Sequence, residues 1–270
     1  MLPLWPNHLL VTLGARHVAL IHSSGLSKKI VAQHEHTVPV NTDAPWQDAL
    51  QVFGRLLSEL SLPANTQLHI SLASDLVRYL VLPATDQSIA QSDRHAFAQA
   101  AFRETFGAES LGWSIQCDDA APNAPAVCAA VDQFLLDALQ TLSTQKNLTL
   151  KSVQPYFVSA ANALSGALKK ADGIVVMVEH ARLLMATFKQ GVCIQLRSQA
   201  LMPDWQEHLP ELLSRTLLVE DEVARVVSIY APTHKTNTLS PIKDWQIKRL
   251  GLSLTSNSLP SPYAMLEVMM

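Results

Sequence analysis

The chain opens with two short apolar runs separated by a polar turn. Leu9, Leu10 and Val11 form the first run and residues 18–21 form the second, with Gly14 between them. Short runs of branched aliphatic residues interrupted by glycine are typical of a β-hairpin. Residues 29–38 follow as a third predicted strand, so the pattern predicts a three-stranded meander at the start of the chain.

Helical and strand patterns alternate after this meander. Helices are predicted at residues 45–60, 88–106, 132–142, 155–170 and 205–218. Further strands are predicted at residues 67–73, 76–82, 113–116, 126–131, 148–153, 224–230 and 247–250. A second meander is predicted at residues 174–197. Strands interleaved with helices indicate an α/β fold with mixed sheets.

The meander followed by alternating elements occurs twice, first from residue 9 and again from residue 174. This organisation resembles the actin-like ATPase superfamily, in which an RNase H-like core is duplicated. The resemblance implies a two-lobed fold with mixed five-stranded sheets. We expect a first lobe over residues 1–170, with an inserted subdomain around 67–131. We expect a second lobe over residues 171–270, ending in a polar tail.

Composition narrows the class of protein further. Hydrophobic residues make up 48% of the chain, charged residues 16%, and the net charge is -3. No window reaches the ~18 uninterrupted apolar residues that a membrane span needs. Without a basic run, a nucleic-acid partner is not expected.

Cysteine and histidine patterns give no metal site. Cys117, Cys128 and Cys193 form no CxxC pair, so we expect three reduced thiols in a cytoplasmic protein. His34 and His36 share one face of a predicted strand, but no third ligand has clear spacing. An exposed polar strand face is therefore expected there.

A family resemblance rests on residues 71–107 and on three later steps. The matching residues are Arg78, Leu80, Leu82 and Pro83 ahead of a helix, then Val131 with Asp132, Gln154 with Pro155, and Asn162. They resemble the actin-like proteins of bacterial pilus and type II secretion machines, which include PilM, the cytoplasmic part of GspL, and MshI. The resemblance extends over about residues 9–230.

The nucleotide-binding members of this superfamily carry Asp-x-Gly in both hairpins. The carboxylate holds Mg²⁺ waters, and glycine lets backbone N–H groups reach phosphate. The matching triplets here are Thr12-Leu13-Gly14 and Met177-Val178-Glu179. Thr12, Gly14 and Glu179 are therefore interpreted as remnants of a degenerate cleft. No catalytic residue, cofactor or metal is predicted.

The resemblance implies a non-catalytic scaffold at the inner face of the bacterial inner membrane. Its implied partners are a PilN-like or GspM-like membrane protein and the assembly ATPase, and a homodimer is left open. In GspL-like proteins a transmembrane helix follows the cytoplasmic domain. Both a PilM-like protein and a longer, membrane-anchored one are therefore left open. The alternatives are a divergent actin-like ATPase or sugar-kinase-like enzyme, and a binding module for an unrelated peptide.

Overall fold

The computed structural model describes residues 7–25, 29–39, 45–84, 91–121, 123–217, 223–234, 239–252 and 259–270. Its strands are β1 His8–Leu13, β2 His17–Ser24, β3 Lys29–Thr37, β4 Gln67–Leu72, β5 Arg78–Leu82, β6 Trp113–Cys117, β7 Ala126–Asp132, β8 Thr149–Pro155, β9 Gly173–Val178, β10 Arg182–Lys189, β11 Val192–Ala200, β12 Val226–Tyr230 and β13 Gln246–Arg249. Its α-helices are α1 Pro45–Glu59, α2 Gln91–Phe106, α3 Gln133–Gln145, α4 Tyr156–Ala163, α5 Ser165–Leu168 and α6 Trp205–Leu217. Short 3₁₀ helices cover Gly107–Gly112, Pro232–His234 and Ser261–Met269. The predicted alternation of strands and helices is confirmed.

Two five-stranded sheets have the same strand order. The first is β3-β2-β1-β4-β8 and the second is β11-β10-β9-β12-β13. In each sheet the first three strands form an antiparallel meander, and the last two are added in parallel. Antiparallel and parallel pairs in both sheets confirm the predicted mixed α/β fold.

The central strands of the two sheets are buried on both faces. All residues of β9 are buried, and in β1 every residue after His8 is buried. Strands covered on both sides are expected to be continuous apolar runs. The edge strands β3 and β11 instead consist of exposed and half-buried residues, apart from the buried Leu196 of β11.

The chain forms two compact units. Unit 1 comprises the described residues of Met1–Val77, Val131–Asn162 and Ser253–Met270, and it contains the first sheet. Unit 2 comprises those of Arg78–Ala130 and Ala163–Leu252, and it contains the second sheet together with a three-stranded sheet, β5-β7-β6. The described residues near the C-terminus thus group with the opening hairpin. The lobe boundary at residue 170 stays a prediction.

In unit 1, both faces of the first sheet are covered. On one side α1 packs against β1, β2 and α3, and its buried positions Ala49, Val52, Phe53, Leu56 and Leu57 recur at helical spacing. On the other side, Leu259 and Leu266 pack against Leu10, Ala19 and Ile21. The 3₁₀ helix Ser261–Met269 therefore closes the core of a sheet that forms at the opposite end of the chain.

In unit 2, α6 covers one face of the second sheet. Trp205, Leu209 and Leu213 recur every four residues and are buried against β9 and β10.

Helix α2 packs on the three-stranded sheet. Its Phe102 meets Trp113 of β6 edge-on, with ring centroids 6.4 Å apart. Helix α2 ends at Phe106, as predicted, and Gly107 follows with φ +78. This left-handed conformation is the one that glycine adopts most readily after a helix.

The expectation of three reduced thiols is wrong for two of the cysteines. Cys117 of β6 and Cys128 of β7 form a disulfide, with Cα atoms 4.0 Å apart. The Asp118 N–H donates to the Val127 carbonyl oxygen at 2.9 Å, so the two strands form a hairpin that puts the cysteines opposite each other. Their separation of 11 residues has no motif in the sequence because strand register creates the pairing.

One further helix prediction is wrong, and part of another lies outside the described residues. The helix predicted over 155–170 is two helices, α4 and α5, separated at Leu164, and Pro155 ends β8 instead of starting a helix. Residues 88–90 of another predicted helix lie outside the described residues. None of the described helices is long and apolar enough to span a membrane.

Candidate functional site

The first hairpin turn, residues 14–16, joins β1 to β2. The Gly14 N–H donates to the His17 carbonyl oxygen at 2.9 Å and closes the turn. A Cβ atom on Gly14 would lie 3.0 Å from Ala73 Cβ and 3.3 Å from Asp75 Oδ1. A side chain on Gly14 would therefore crowd the segment that follows β4.

That segment brings a carboxylate to the turn. The Ala15 N–H donates to Asp75 Oδ2 at 3.0 Å, and this contact is half-buried. The Ala73 N–H donates to the Leu13 carbonyl oxygen at 2.8 Å, which extends the parallel pairing of β1 and β4 by one step. This pairing determines where Asp75 lies, immediately beside the backbone of the turn.

Thr12 occupies the position where an aspartate is found in nucleotide-binding hairpins. It is 2% exposed, and its strand neighbours are Ala19 on β2 and Ser71 on β4. Neither the Thr12 nor the Ser71 hydroxyl has a hydrogen-bond partner among the described residues. Two uncharged hydroxyls, and no carboxylate, therefore lie on neighbouring strands at this position.

The second hairpin turn, residues 179–181, has the same closing hydrogen bond. The Glu179 N–H donates to the Arg182 carbonyl oxygen at 2.9 Å, as Gly14 does to His17. Glu179 therefore corresponds to Gly14, and Met177 corresponds to Thr12. Both Met177 and Glu179 are 1% exposed. The alignment of the two triplets follows from the hairpins themselves, whereas their interpretation as remnants of a nucleotide cleft stays a prediction.

The charges around the two turns are arranged differently. Arg16, at the first turn, is exposed. Arg182, at the second, donates from Nε to Ser198 Oγ and from a terminal nitrogen to the Ser198 carbonyl oxygen, both at 3.0 Å. Burial lowers the pKa of His17 and of His22 on β2, so neither imidazole adds positive charge to the first hairpin at neutral pH.

Asp75 is the residue that the sequence pattern did not single out for this site. It lies 60 residues from Ala15 along the chain, so no local motif connects the two. One signal lies in its position. Asp75 comes two residues after the predicted strand 67–73, and loops at strand ends bring polar residues to one edge of a sheet.

Metal-ligand clusters are not found among the described residues, where no group of three His, Cys, Asp or Glu side chains could hold an ion. His34 and His36 lie on the edge strand β3, half-buried and exposed respectively. His69, on β4, contacts Ser152 Oγ through Nδ1 at 3.0 Å.

The sequence matches no protein-family model and no curated protein. Solved structures, in contrast, share the fold over most of the chain. The cytoplasmic domain of EpsL, an inner membrane component of the type II secretion system of Vibrio cholerae, aligns with a TM-score of 0.58 at 12% identity, covering 97% of this chain and 93% of that one.

Two further structures extend the likeness. A PilM-PilN type IV pilus biogenesis complex aligns with a TM-score of 0.64 at 11% identity, covering 96% of this chain and 89% of that one. A Bacteroides thetaiotaomicron protein with an actin-like ATPase fold and unknown function aligns with a TM-score of 0.59 at 11% identity, covering 90% of each chain. The chain therefore has the actin-like fold, and the predicted likeness to pilus and type II secretion proteins is confirmed at the level of fold.

Proposed function

We propose that the protein is a non-catalytic scaffold at the cytoplasmic face of a bacterial inner membrane, within a pilus or type II secretion-like assembly. The observation that carries this proposal is the alignment of nearly the whole chain with the EpsL cytoplasmic domain and with the PilM-PilN complex. By analogy, its partner is the cytoplasmic segment of a PilN-like or GspM-like membrane protein, with the assembly ATPase as a second partner.

The residues of the two turns support a role without nucleotide chemistry. Thr12 and Met177 replace the two carboxylates that would hold Mg²⁺ waters. At the first turn, the Ala15 N–H, which would otherwise be available to phosphate, already donates to Asp75. Both features count against the alternative, a divergent ATPase or sugar-kinase-like enzyme.

Partner binding is tested in two steps. The full chain is cross-linked in its native cells and purified under denaturing conditions, and the attached proteins are identified by mass spectrometry. A synthetic peptide from the cytoplasmic segment of the recovered membrane protein is then titrated against the purified chain by calorimetry. We expect saturable binding that a peptide of scrambled order does not show. Cross-links to soluble enzymes alone, or equal binding of both peptides, would contradict the scaffold proposal.

The enzyme alternative is tested with Mg-ATP. A ligand present at 100 times its Kd stabilises a protein by about 2.7 kcal/mol, which a thermal-unfolding scan detects easily. We expect the same midpoint with and without Mg-ATP, and no phosphate release. A raised midpoint would favour the ATPase alternative even if the membrane partner also binds.

A further inference from the structure

The backbone of the first turn has the properties of an anion site. The Ala15 N–H points at a negatively charged oxygen 3.0 Å away, and the exposed guanidinium of Arg16 follows it at once in the chain. Gly14 leaves room for the carboxylate as a whole, since a Cβ atom there would lie 3.3 Å from its other oxygen, Asp75 Oδ1. Backbone N–H groups beside a glycine form the usual cradle for phosphate and carboxylate anions.

We propose that this turn is an anion-binding site that the chain fills with its own carboxylate. Asp75 takes the place of an external phosphate at the Ala15 N–H, and as long as it stays there the turn does not bind free phosphate. The ligand class of the site is an oxyanion, carried by the protein itself. The proposal concerns unit 1 alone, and it does not depend on the scaffold role.

The way Asp75 is held supports this assignment. The Leu76 N–H donates to the Ala73 carbonyl oxygen at 3.0 Å, so residues 73–76 form a tight turn of their own. Ser74, within that turn, is fully buried. With Ala73 paired to Leu13 on β1, the backbone on both sides of the carboxylate is fixed. Asp75 is therefore presented to the Ala15 N–H by two hydrogen-bonded backbone segments.

Charge explains why a carboxylate would exclude phosphate. Both are oxyanions that seek the same donor, and a hydrogen bond to an ionised acceptor is roughly twice as strong as a neutral one. An anion already attached to the chain competes at a high effective concentration. Phosphate entering beside it would also meet a like charge. Removing the carboxylate should therefore free the donor and lower the repulsion together.

The test uses inorganic phosphate with the wild-type chain and three variants. Asp75→Ala removes the carboxylate, and Asp75→Asn keeps its shape but removes its charge. Asp118→Ala is the matched control, because Asp118 Oδ1 also accepts a backbone N–H, that of Val127, at 3.0 Å across a hairpin. The Ala15 amide resonance is followed by ¹H–¹⁵N NMR as phosphate replaces chloride at constant ionic strength.

In Asp75→Ala we expect a saturable shift of the Ala15 resonance, with the variant's thermal midpoint rising over the same phosphate range. In the wild-type chain and in Asp118→Ala we expect no Ala15 shift at phosphate concentrations that saturate Asp75→Ala. If Asp75→Ala does not fold, Asp75→Asn should show the same saturable shift at higher phosphate. Two results would overturn the proposal: an equal shift in the wild type, or none in any folded Asp75 variant.

Discussion

The two hairpin turns are closed by the same backbone hydrogen bond but are built from different residues. Each closes β-strands at the centre of a five-stranded sheet through an N–H···O=C bond of 2.9 Å, from Gly14 in one case and Glu179 in the other. Neither residue has a positive φ, so the turn itself does not require glycine. The difference between the turns lies in what approaches them from outside the hairpin.

At the first turn, Ala73 and Asp75 lie close enough that a Cβ atom on Gly14 would crowd them. At the second, the equivalent position carries a full glutamate side chain, which is buried. Glycine at this position of the first hairpin therefore reflects a close neighbour and not a backbone requirement. Four groups of variants test these features of the two units.

The largest effect is expected where glycine is needed for both reasons. Gly173, the first residue of β9, has φ +123, and a Cβ atom there would collide with the Val226 carbonyl oxygen. Gly173→Ala should lower the free energy of unfolding by at least about 3 kcal/mol. Gly14→Ala, which meets only side-chain atoms and a more distant carbonyl, should cost about 1–2 kcal/mol. Urea unfolding of both variants measures the difference, and equal costs would refute the distinction.

An aspartate at position 12, as in nucleotide-binding hairpins, should not confer nucleotide binding on this chain. Thr12→Asp puts a carboxylate into a position that is 2% exposed, which should cost roughly 2–4 kcal/mol of stability. Thr12→Val is the matched control. It removes a hydroxyl without a hydrogen-bond partner among the described residues and should be neutral or stabilising by up to about 1 kcal/mol.

Chemical denaturation of these Thr12 variants, with and without Mg-ATP, checks the expectation. Stabilisation of Thr12→Asp by Mg-ATP would show that the first turn still accepts a nucleotide. In that case, the absence of nucleotide binding expected for the wild-type chain would depend on Thr12 alone.

The three-stranded sheet of unit 2 offers a third test, because its strands are linked covalently. Replacing both Cys117 and Cys128 by serine should lower the free energy of unfolding by about 2–3 kcal/mol, as expected for a short closed loop. Reductant should have a similar effect on the wild-type chain and none on the double variant. Cys193→Ser is the control. That thiol is free, and burial raises its pKa to about 12, so the variant should keep the full response to reductant.

The smallest effect is expected from pH. Burial lowers the pKa of His17 and of His22 below the ordinary value of 6.5, so between these values the unfolded chain binds more protons than the folded one. Stability should therefore fall as the pH drops from above 6.5 toward the folded-state pKa. His22→Leu should make this decline shallower, measured by urea unfolding between neutral and mildly acidic pH. An unchanged slope would show that His22 does not contribute.

Local patterns predicted the elements that carry the fold. Both meanders were recognisable because central strands such as β1 and β9 are continuous apolar runs, and α6 was recognisable because Trp205, Leu209 and Leu213 recur at helical spacing. The correspondence of Met177-Val178-Glu179 with Thr12-Leu13-Gly14 could also be predicted. Two hairpins with the same preceding strand length give the same offset from strand to turn.

The features that the sequence did not reveal depend on pairing between distant segments. Asp75 reaches Ala15 only because β4 lies beside β1 in a particular register. The disulfide depends likewise on the register of β6 and β7. The packing of Leu259 and Leu266 on the first sheet depends on which of two compact units the distant segment joins. No local periodicity encodes such choices.

The position of residues 259–270 has a consequence for synthesis of the protein. They cover Leu10 and Ile21, which leave the ribosome more than two hundred residues earlier. At about 5–20 residues per second, residues 259–270 are synthesised roughly ten seconds or longer after the opening hairpin. During that interval a nascent chain presents an apolar sheet face to the cytosol. Holding by a ribosome-associated chaperone is therefore most needed for the earliest part of this chain.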